Sequence, residues 1–148
     1  MKAMDAIRKP VVTVDAARPL GAVAELMDRH AVGALVVTDE RGHAVGLVTD
    51  RDLVVRGLAR GNTDGRCDSV MTTELVTADA GSDLREVIRL FETHAVRRVV
   101  LLSGDTPVGV LSVDDLLVDL VADLATVVRP VTAEVLFGHR DAGTLAVT

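Results

Sequence analysis

The sequence predicts a mixed α/β fold made of two copies of one β-α-β-β-α unit. Three observations point there. Val12 to Val37 lies over Val76 to Leu101, with Val, Thr, Asp, Ala, Leu, Val, Leu, His, Ala, Val and Val recurring at matching places. One residue is lost near His43, after which Val45-Gly46 meets Val108-Gly109 and Asp52-Leu53 meets Asp115-Leu116. Within each copy, apolar runs of strand length alternate with apolar residues at helical spacing. The period exceeds that of the common solenoid repeats, so it predicts a pseudo-twofold pair with any site between the copies.

Val11-Val12-Thr13-Val14 reads as a short extended segment, rich in β-branched residues. Leu20, Val23, Ala24 and Met27 follow at i, i+3, i+4 and i+7, an amphipathic helix with Pro19 placed as its first residue. Ala34-Leu35-Val36-Val37 is a buried strand, Asp39 to Gly42 a polar turn, and Val45 to Val48 a second buried strand. Thr49 then opens a second helix, with Leu53, Val54, Leu58 and also Val55 on its inner face. The second copy repeats the order: Val76-Thr77; then Leu84, Val87, Ile88 and Phe91; then Val99 to Leu102 and Val108 to Leu111. Its last helix carries Leu116, Leu117, Leu120, Val121 and Leu124 on the inner face. The predicted organisation is residues 1–60 for the first repeat, 61–68 for a linker, 69–126 for the second repeat and 127–148 for a C-terminal extension. Val131 to Phe137 reads as one further strand.

Composition narrows the partners. At 148 residues the chain can bury roughly 70% of its unfolded surface and needs no metal or disulfide to fold. Hydrophobic residues make up 49% and aromatics 1%, so Val, Leu, Ala and Ile must build the core. With no Tyr or Trp, the usual stacking platforms for single-stranded nucleic acid are missing. The net charge of -6 opposes nucleic acid and anionic membrane as partners. Met1 to Pro10 carries Lys2, Asp5, Arg8 and Lys9 and does not resemble a signal peptide, and no apolar run of about 18 residues predicts a membrane span. A single cysteine, Cys67, rules out an internal disulfide and fits a cytoplasmic location.

The chemistry sits in Gly46-Leu47-Val48-Thr49-Asp50-Arg51-Asp52 and Gly109-Val110-Leu111-Ser112-Val113-Asp114-Asp115. Each has Gly, two apolar residues, a hydroxyl residue, two variable positions and Asp. A hydroxyl followed three residues later by an acid resembles a capping box, which starts a helix without any further function. That reading leaves the paired glycines unexplained; glycine in a strand permits close backbone approach. The same residues also suit a nucleoside phosphate. Helix N-terminal amides favour phosphate, and a carboxylate there can accept both ribose hydroxyls. A valine-rich wall can hold adenine without an aromatic ring.

With those residues, the repeat resembles a pair of cystathionine-β-synthase (CBS) domains, the tandem called a Bateman module, over roughly Met4 to Thr126. Gly33 through Thr49-Asp50-Arg51-Asp52-Leu53 to Gly57-Leu58 is similar to the small stand-alone CBS-pair proteins of actinobacteria. The resemblance implies two repeats about a pseudo-twofold, an antiparallel disc-like homodimer, and a regulatory, non-catalytic role. It implies an adenine nucleotide (AMP, ADP or ATP) or S-adenosylmethionine between the copies, with no required cofactor. The signature Asp then holds the ribose and the Thr or Ser contacts ribose or phosphate. In the family, basic residues ahead of one copy's middle strand often reach phosphates held by the other copy's Asp. Those positions are Arg97-Arg98 in the second copy and Gly33-Ala34 in the first. The expected nucleotide site is therefore Thr49, Arg51, Asp52, Arg97, Arg98 and Val12. A second, weaker site falls at Ser112 and Asp115, where Asp114 replaces Arg51 and disfavours polyphosphate. The family's frequent middle-strand Pro is absent, with Leu35-Val36 and Val99-Val100 in its place.

His30 and His94 share one repeat position at a helix C-terminus, which suits a structural role; no ligand set accompanies them, and no metal site is expected. His43 and His139 are expected to be exposed, and Cys67 to lie in the linker. No nucleophile-base-acid set, Walker loop or zinc motif is present, so no enzyme activity is expected. The expected function is a cytosolic sensor of adenine nucleotide that signals to an unidentified protein target. The alternatives are a ligand-free interaction or stress-response scaffold and an S-adenosylmethionine binder.

Overall fold

Each run of β-branched residues finds its hydrogen-bonding partner strand within its own copy. In the first copy, β1 (Thr13–Asp15), β2 (Ala34–Thr38) and β3 (Ala44–Thr49) form a three-stranded sheet in that order. In the second, β4 (Thr77–Asp79), β5 (Arg98–Ser103) and β6 (Thr106–Ser112) repeat it. The first two strands of each sheet are parallel, joined through α1 (Leu20–His30) or α3 (Leu84–His94), and the last two are antiparallel. This computed structural model describes residues 1–137, and the chain divides into a unit Met1–Val113 and a second that begins at Asp114.

The first core gathers Val14, Leu20, Val23, Met27, Leu35, Val37 and Val48 with Cys67 and Val70. The second buries Val87, Val99, Val100, Leu101 and Leu111. Cys67 and Val70 come from the segment that leads into the second copy, so the first core is completed by residues beyond its own repeat.

The reciprocal holds at the N-terminus. The 3₁₀ turns Ala3–Ala6 and Cys67–Ser69 occupy matching repeat positions, and each packs on the other copy. Ala3 N donates to Ser82 O at 2.9 Å and Met4 N to Ala80 O at 3.1 Å. Cys67 N donates to Arg18 O at 2.7 Å, and Asp68 N to Ala16 O at 3.0 Å. Leu47 and Thr72 exchange backbone hydrogen bonds of 2.9 and 2.8 Å. The signature glycines are the seats of these segments. A Cβ on Gly46 would stand 2.5 Å from Met71 Sδ and 3.0 Å from Thr72 O, and one on Gly109 would stand 2.9 Å from Ile7 Cδ1. The paired glycines thus have a packing cause that a helix cap does not supply.

α1 and α3 end alike. His30 and His94 are the last helical residues, and the chain then enters the left-handed region at Ala31 (φ 51°) and Ala95 (φ 50°). Alanine tolerates that conformation poorly, whereas glycine adopts it at no steric cost. Ala31→Gly and Ala95→Gly should therefore each raise unfolding free energy by about 0.5–1 kcal/mol in urea melts.

Several expected details are corrected. The helix after Thr49 is α-helical only over Asp50–Asp52 (α2) and continues as a π turn over Leu53–Gly57. The wider turn breaks the 3.6-residue periodicity on which the inner face was assigned. The backbone of Gly57 makes the inward contact instead, its Cβ position lying 3.2 Å from Leu20 Cδ1, and Val54, Val55 and Leu58 are exposed. Pro19 is the extended residue before α1, not its first turn. β1 starts at Thr13, two residues later than expected. His43 is half-buried, and its backbone N–H donates to Asp39 Oδ1 at 2.9 Å in the β2-β3 turn. His139 lies outside the described residues.

The second unit holds α4 (Val113–Phe137) from Asp114 onward. Val131 to Phe137 is the end of this helix and not a strand; Thr132 Oγ1 donates to Val128 O at 3.0 Å along it. Leu117, Leu120, Val121 and Leu124, expected on an inner face, are exposed. Among the described residues, no helix is long and apolar enough to cross a membrane.

Candidate functional site

Thr49 ends β3 in an extended conformation, and the chain turns immediately into α2. Thr49 Oγ1 accepts from Asp52 N at 3.1 Å, and Asp52 Oδ2 accepts from Thr49 N at 3.0 Å. This is the capping box read from the sequence, closed by Asp instead of the longer Glu. The shorter side chain keeps the carboxylate tight against the turn. Its second oxygen, Oδ1, lies 3.8 Å from Arg56 Nε. Arg56 in turn donates from Nη1 to Val70 O at 3.2 Å and Met71 O at 3.3 Å. Asp52 is thus oriented on one side by its own cap and on the other by a guanidinium anchored to the connecting segment.

A cavity of about 180 Å³ opens beside this carboxylate. The first repeat supplies Leu47, Thr49 and Asp52. The connecting segment supplies Thr72, Glu74, Leu75 and Val76, and the second repeat Val96, Arg97, Arg98 and Val100. A neighbouring cavity of about 430 Å³ shares Glu74, Leu75, Val76 and Val96 and extends to Thr77, Leu90 and His94. The pair meets along an apolar ridge and has the size class of small-molecule sites.

The structure brings together Thr49, Asp52, Arg97 and Arg98 around one cavity. Arg98 is half-buried at the start of β5, and Arg97 is exposed just ahead of it. Two residues of the expected set are elsewhere. Arg51 is exposed on α2 and does not line the cavity. Val12 packs against the core of the first repeat. Its repeat-mate Val76 takes the wall position, because the segment that crosses over Gly46 belongs to the second copy. Sequence reasoning missed Val76, Thr72 and Glu74, because the exchange that brings the lead-in of one copy to the signature of the other leaves no mark within either copy. For the second pair, Ser112 closes β6, and Asp115 stands half-buried in the first turn of α4.

Cys67 is fully buried. Burial, with help from the Asp68 charge, pushes its thiol up to about 11, so it stays neutral and suits packing rather than nucleophilic or redox work. The Asp39 carboxyl is held below its usual range mainly by the His43 backbone N–H. Both groups lie outside the cavity. Among the described residues, no cluster of three or more His, Cys, Asp or Glu side chains forms a metal-binding group.

Comparison with known proteins agrees with this architecture. The CBS domain model matches residues 3–57 and 67–122. The chain is 34% identical over 117 residues to the CBS domain-containing protein YhcV of Bacillus subtilis, covering 78% of this chain and 82% of that one. Hypoxic response protein 1 of Mycobacterium tuberculosis is 32% identical over 117 residues, covering 77% and 81%. A crystal structure of Hypoxic Response Protein I holds two coordinated zinc ions; it is 31% identical, covers 78% of this chain and 96% of its own, and has a TM-score of 0.65. The CBS domain protein PAE2072 from Pyrobaculum aerophilum, solved in complex with AMP, shares the fold at 23% identity. It has a TM-score of 0.71 and covers 85% of this chain and 99% of its own.

Proposed function

The chain belongs to the CBS domain family, and we propose that it is a cytosolic, non-catalytic regulatory module that binds an adenine nucleotide between its repeats. One observation carries the proposal: a carboxylate from one repeat and two guanidinium groups from the other line the same cavity. Asp52 accepts the ribose hydroxyls, with Thr49 beside it. Leu47, Val76, Val96 and Val100 hold the adenine by apolar contact. Arg97 and Arg98 take the phosphates, for which guanidinium geometry is well matched. The AMP complex of PAE2072 supports this chemistry in a protein of the same fold. Ser112 and Asp115 form the weaker second site, without a basic residue from the first repeat. The exposed Val54, Val55, Leu58 and Ile88 support a homodimer, and a protein target reads the change in repeat geometry on binding.

The first test uses the missing chromophores. With no Tyr or Trp, protein absorbance near 260 nm is low. Denaturing purified protein and analysing the supernatant by absorbance and mass spectrometry should recover an adenine nucleotide. A blank there, followed by no heat in titrations with AMP, ADP, ATP and S-adenosylmethionine, rejects the proposal. It would favour the ligand-free scaffold, a reading that the self-satisfied Thr49–Asp52 cap also supports.

The same titrations separate phosphate from base recognition. Arg97→Ala with Arg98→Ala should weaken ADP binding roughly 10- to 100-fold while changing adenosine affinity by less than about threefold. An equal loss for both ligands would place the arginines in a structural role.

A further inference from the structure

The helix cap holds only one oxygen of the signature carboxylate: Asp52 Oδ2 accepts from Thr49 N. The last torsion of an aspartate is broad, so a single hydrogen bond leaves the aim of the other oxygen loose. Arg56 supplies the second hold. Its Nε lies 3.8 Å from Asp52 Oδ1, and its Nη1 donates to Val70 O at 3.2 Å and Met71 O at 3.3 Å. An acid four residues before a base is an ordinary helix pair, worth little when exposed. This pair differs in two ways. Its carboxylate is largely shielded from solvent, although the guanidinium is half-exposed. Its guanidinium is also anchored to carbonyls 14 and 15 residues further along the chain. The rigid planar fork lets one side chain meet Asp52 with one nitrogen and grip the connecting segment with another. Arg56 does not line the cavity, so its influence on a ligand there passes through Asp52 and the segment it grips. The repeat itself does not require this base. The repeat-mate of Arg56 is Asp119, four residues after Asp115, and α4 starts after Ser112 just as α2 starts after Thr49.

We propose that Arg56 is a positioning residue for ribose recognition. By tethering Asp52 to the connecting segment it fixes the aim of Oδ1, and so sets how strongly the site prefers nucleotides with free ribose hydroxyls. The inference rests on the reading of Asp52 as the ribose acceptor. At 3.8 Å the contact with Arg56 Nε is an ion pair and not a hydrogen bond, so Oδ1 keeps its lone pairs for the hydroxyls.

Titration of the full-length protein with ADP and with 2′,3′-dideoxy-ADP tests this. Wild type should prefer ADP by about 100-fold or more, because two hydroxyls donate to a charged acceptor. Arg56→Gln should shrink that preference by about tenfold through weaker ADP binding, as misaligned hydrogen bonds lose strength. Its affinity for 2′,3′-dideoxy-ADP should change by less than about threefold, since that ligand has no hydroxyl for Asp52 to accept. Arg56→Lys should behave like Arg56→Gln, because one compact ammonium cannot stand at both Asp52 and the two carbonyls. Each preference is a ratio taken on one sample, so any loss of folded protein cancels. Equal loss for both ligands, an undiminished preference in Arg56→Gln, or a preference fully restored by Arg56→Lys overturns the inference and leaves the ribose role of Asp52 standing. A wild type that binds the two ligands equally, or binds neither, overturns both.

Discussion

Asp52→Ala should lower adenine-nucleotide affinity by about 100- to 10,000-fold. The estimate follows from hydrogen bonds to a charged group, each worth roughly 1.5–3 kcal/mol when made to a ribose hydroxyl in a site shielded from water. The side chain is only 15% exposed, so solvent does little to screen the loss. The substitution also removes the acceptor for Thr49 N, which costs about 1 kcal/mol of stability through the cap. Asp52→Asn separates the two effects. An amide oxygen still accepts from Thr49 N, so the cap is kept and only the half-exposed Arg56 contact is lost, at about 0–1 kcal/mol, while the lost charge should weaken binding by about tenfold. Asp115→Ala, measured alongside, should leave the first binding event unchanged. If Asp52→Ala binds nucleotide with wild-type affinity and Asp115→Ala does not, the two sites have been ranked in the wrong order. If neither matters, Thr49 and Asp52 are a helix cap and nothing more.

Gly46→Val should destabilise the fold by about 3 kcal/mol, near the upper end for overpacking. Even alanine there meets Met71 Sδ at 2.5 Å and the Thr72 carbonyl at 3.0 Å. The sulfur can swing away, but the carbonyl is pinned by the paired Leu47–Thr72 hydrogen bonds. Valine adds branches that reach this backbone. Gly109→Ala is the internal comparison. Its contacts under 3.0 Å are Cδ1 and Cγ1 of the Ile7 side chain, which can change rotamer. Its cost should be about 1 kcal/mol, partly offset by the lower entropy of alanine in the unfolded chain. Chemical denaturation of the three variants checks the order, and Met71→Ala should restore part of the loss in Gly46→Ala but none in Gly109→Ala. Equal effects at both glycines would mean that the linker backbone gives way as easily as a side chain.

The repeat was legible because both copies preserve the residues that physics punishes for changing. The strands carry β-branched runs, α1 and α3 share His-Ala at their ends, and the glycines align. The Thr49–Asp52 cap and the position of Arg97 and Arg98 followed from spacing and family resemblance. What the sequence hid was non-local. Val12 and Val76 are equivalent residues, and nothing in either copy says which of them faces Asp52. That depends on the lead-in segments crossing between copies. The π turn at Leu53–Gly57 was hidden for another reason: apolar residues at helical spacing look the same whether or not the turn widens. The strand expected at Val131 to Phe137 failed because a β-branched run also suits a valine-rich helix, and period alone did not separate the two.

The exchanged segments also constrain synthesis. When the first sixty or so residues have left the ribosome, the valine core around Leu35 still lacks Cys67 and Val70. The Met1–Ile7 segment has no seat either, because Ser82, Leu84 and Gly109 do not yet exist. Neither half can reach its final state ahead of the other, even though each has its own sheet. The chain should therefore acquire protease resistance in one late step, after β6 emerges, rather than domain by domain as tandem modules usually do.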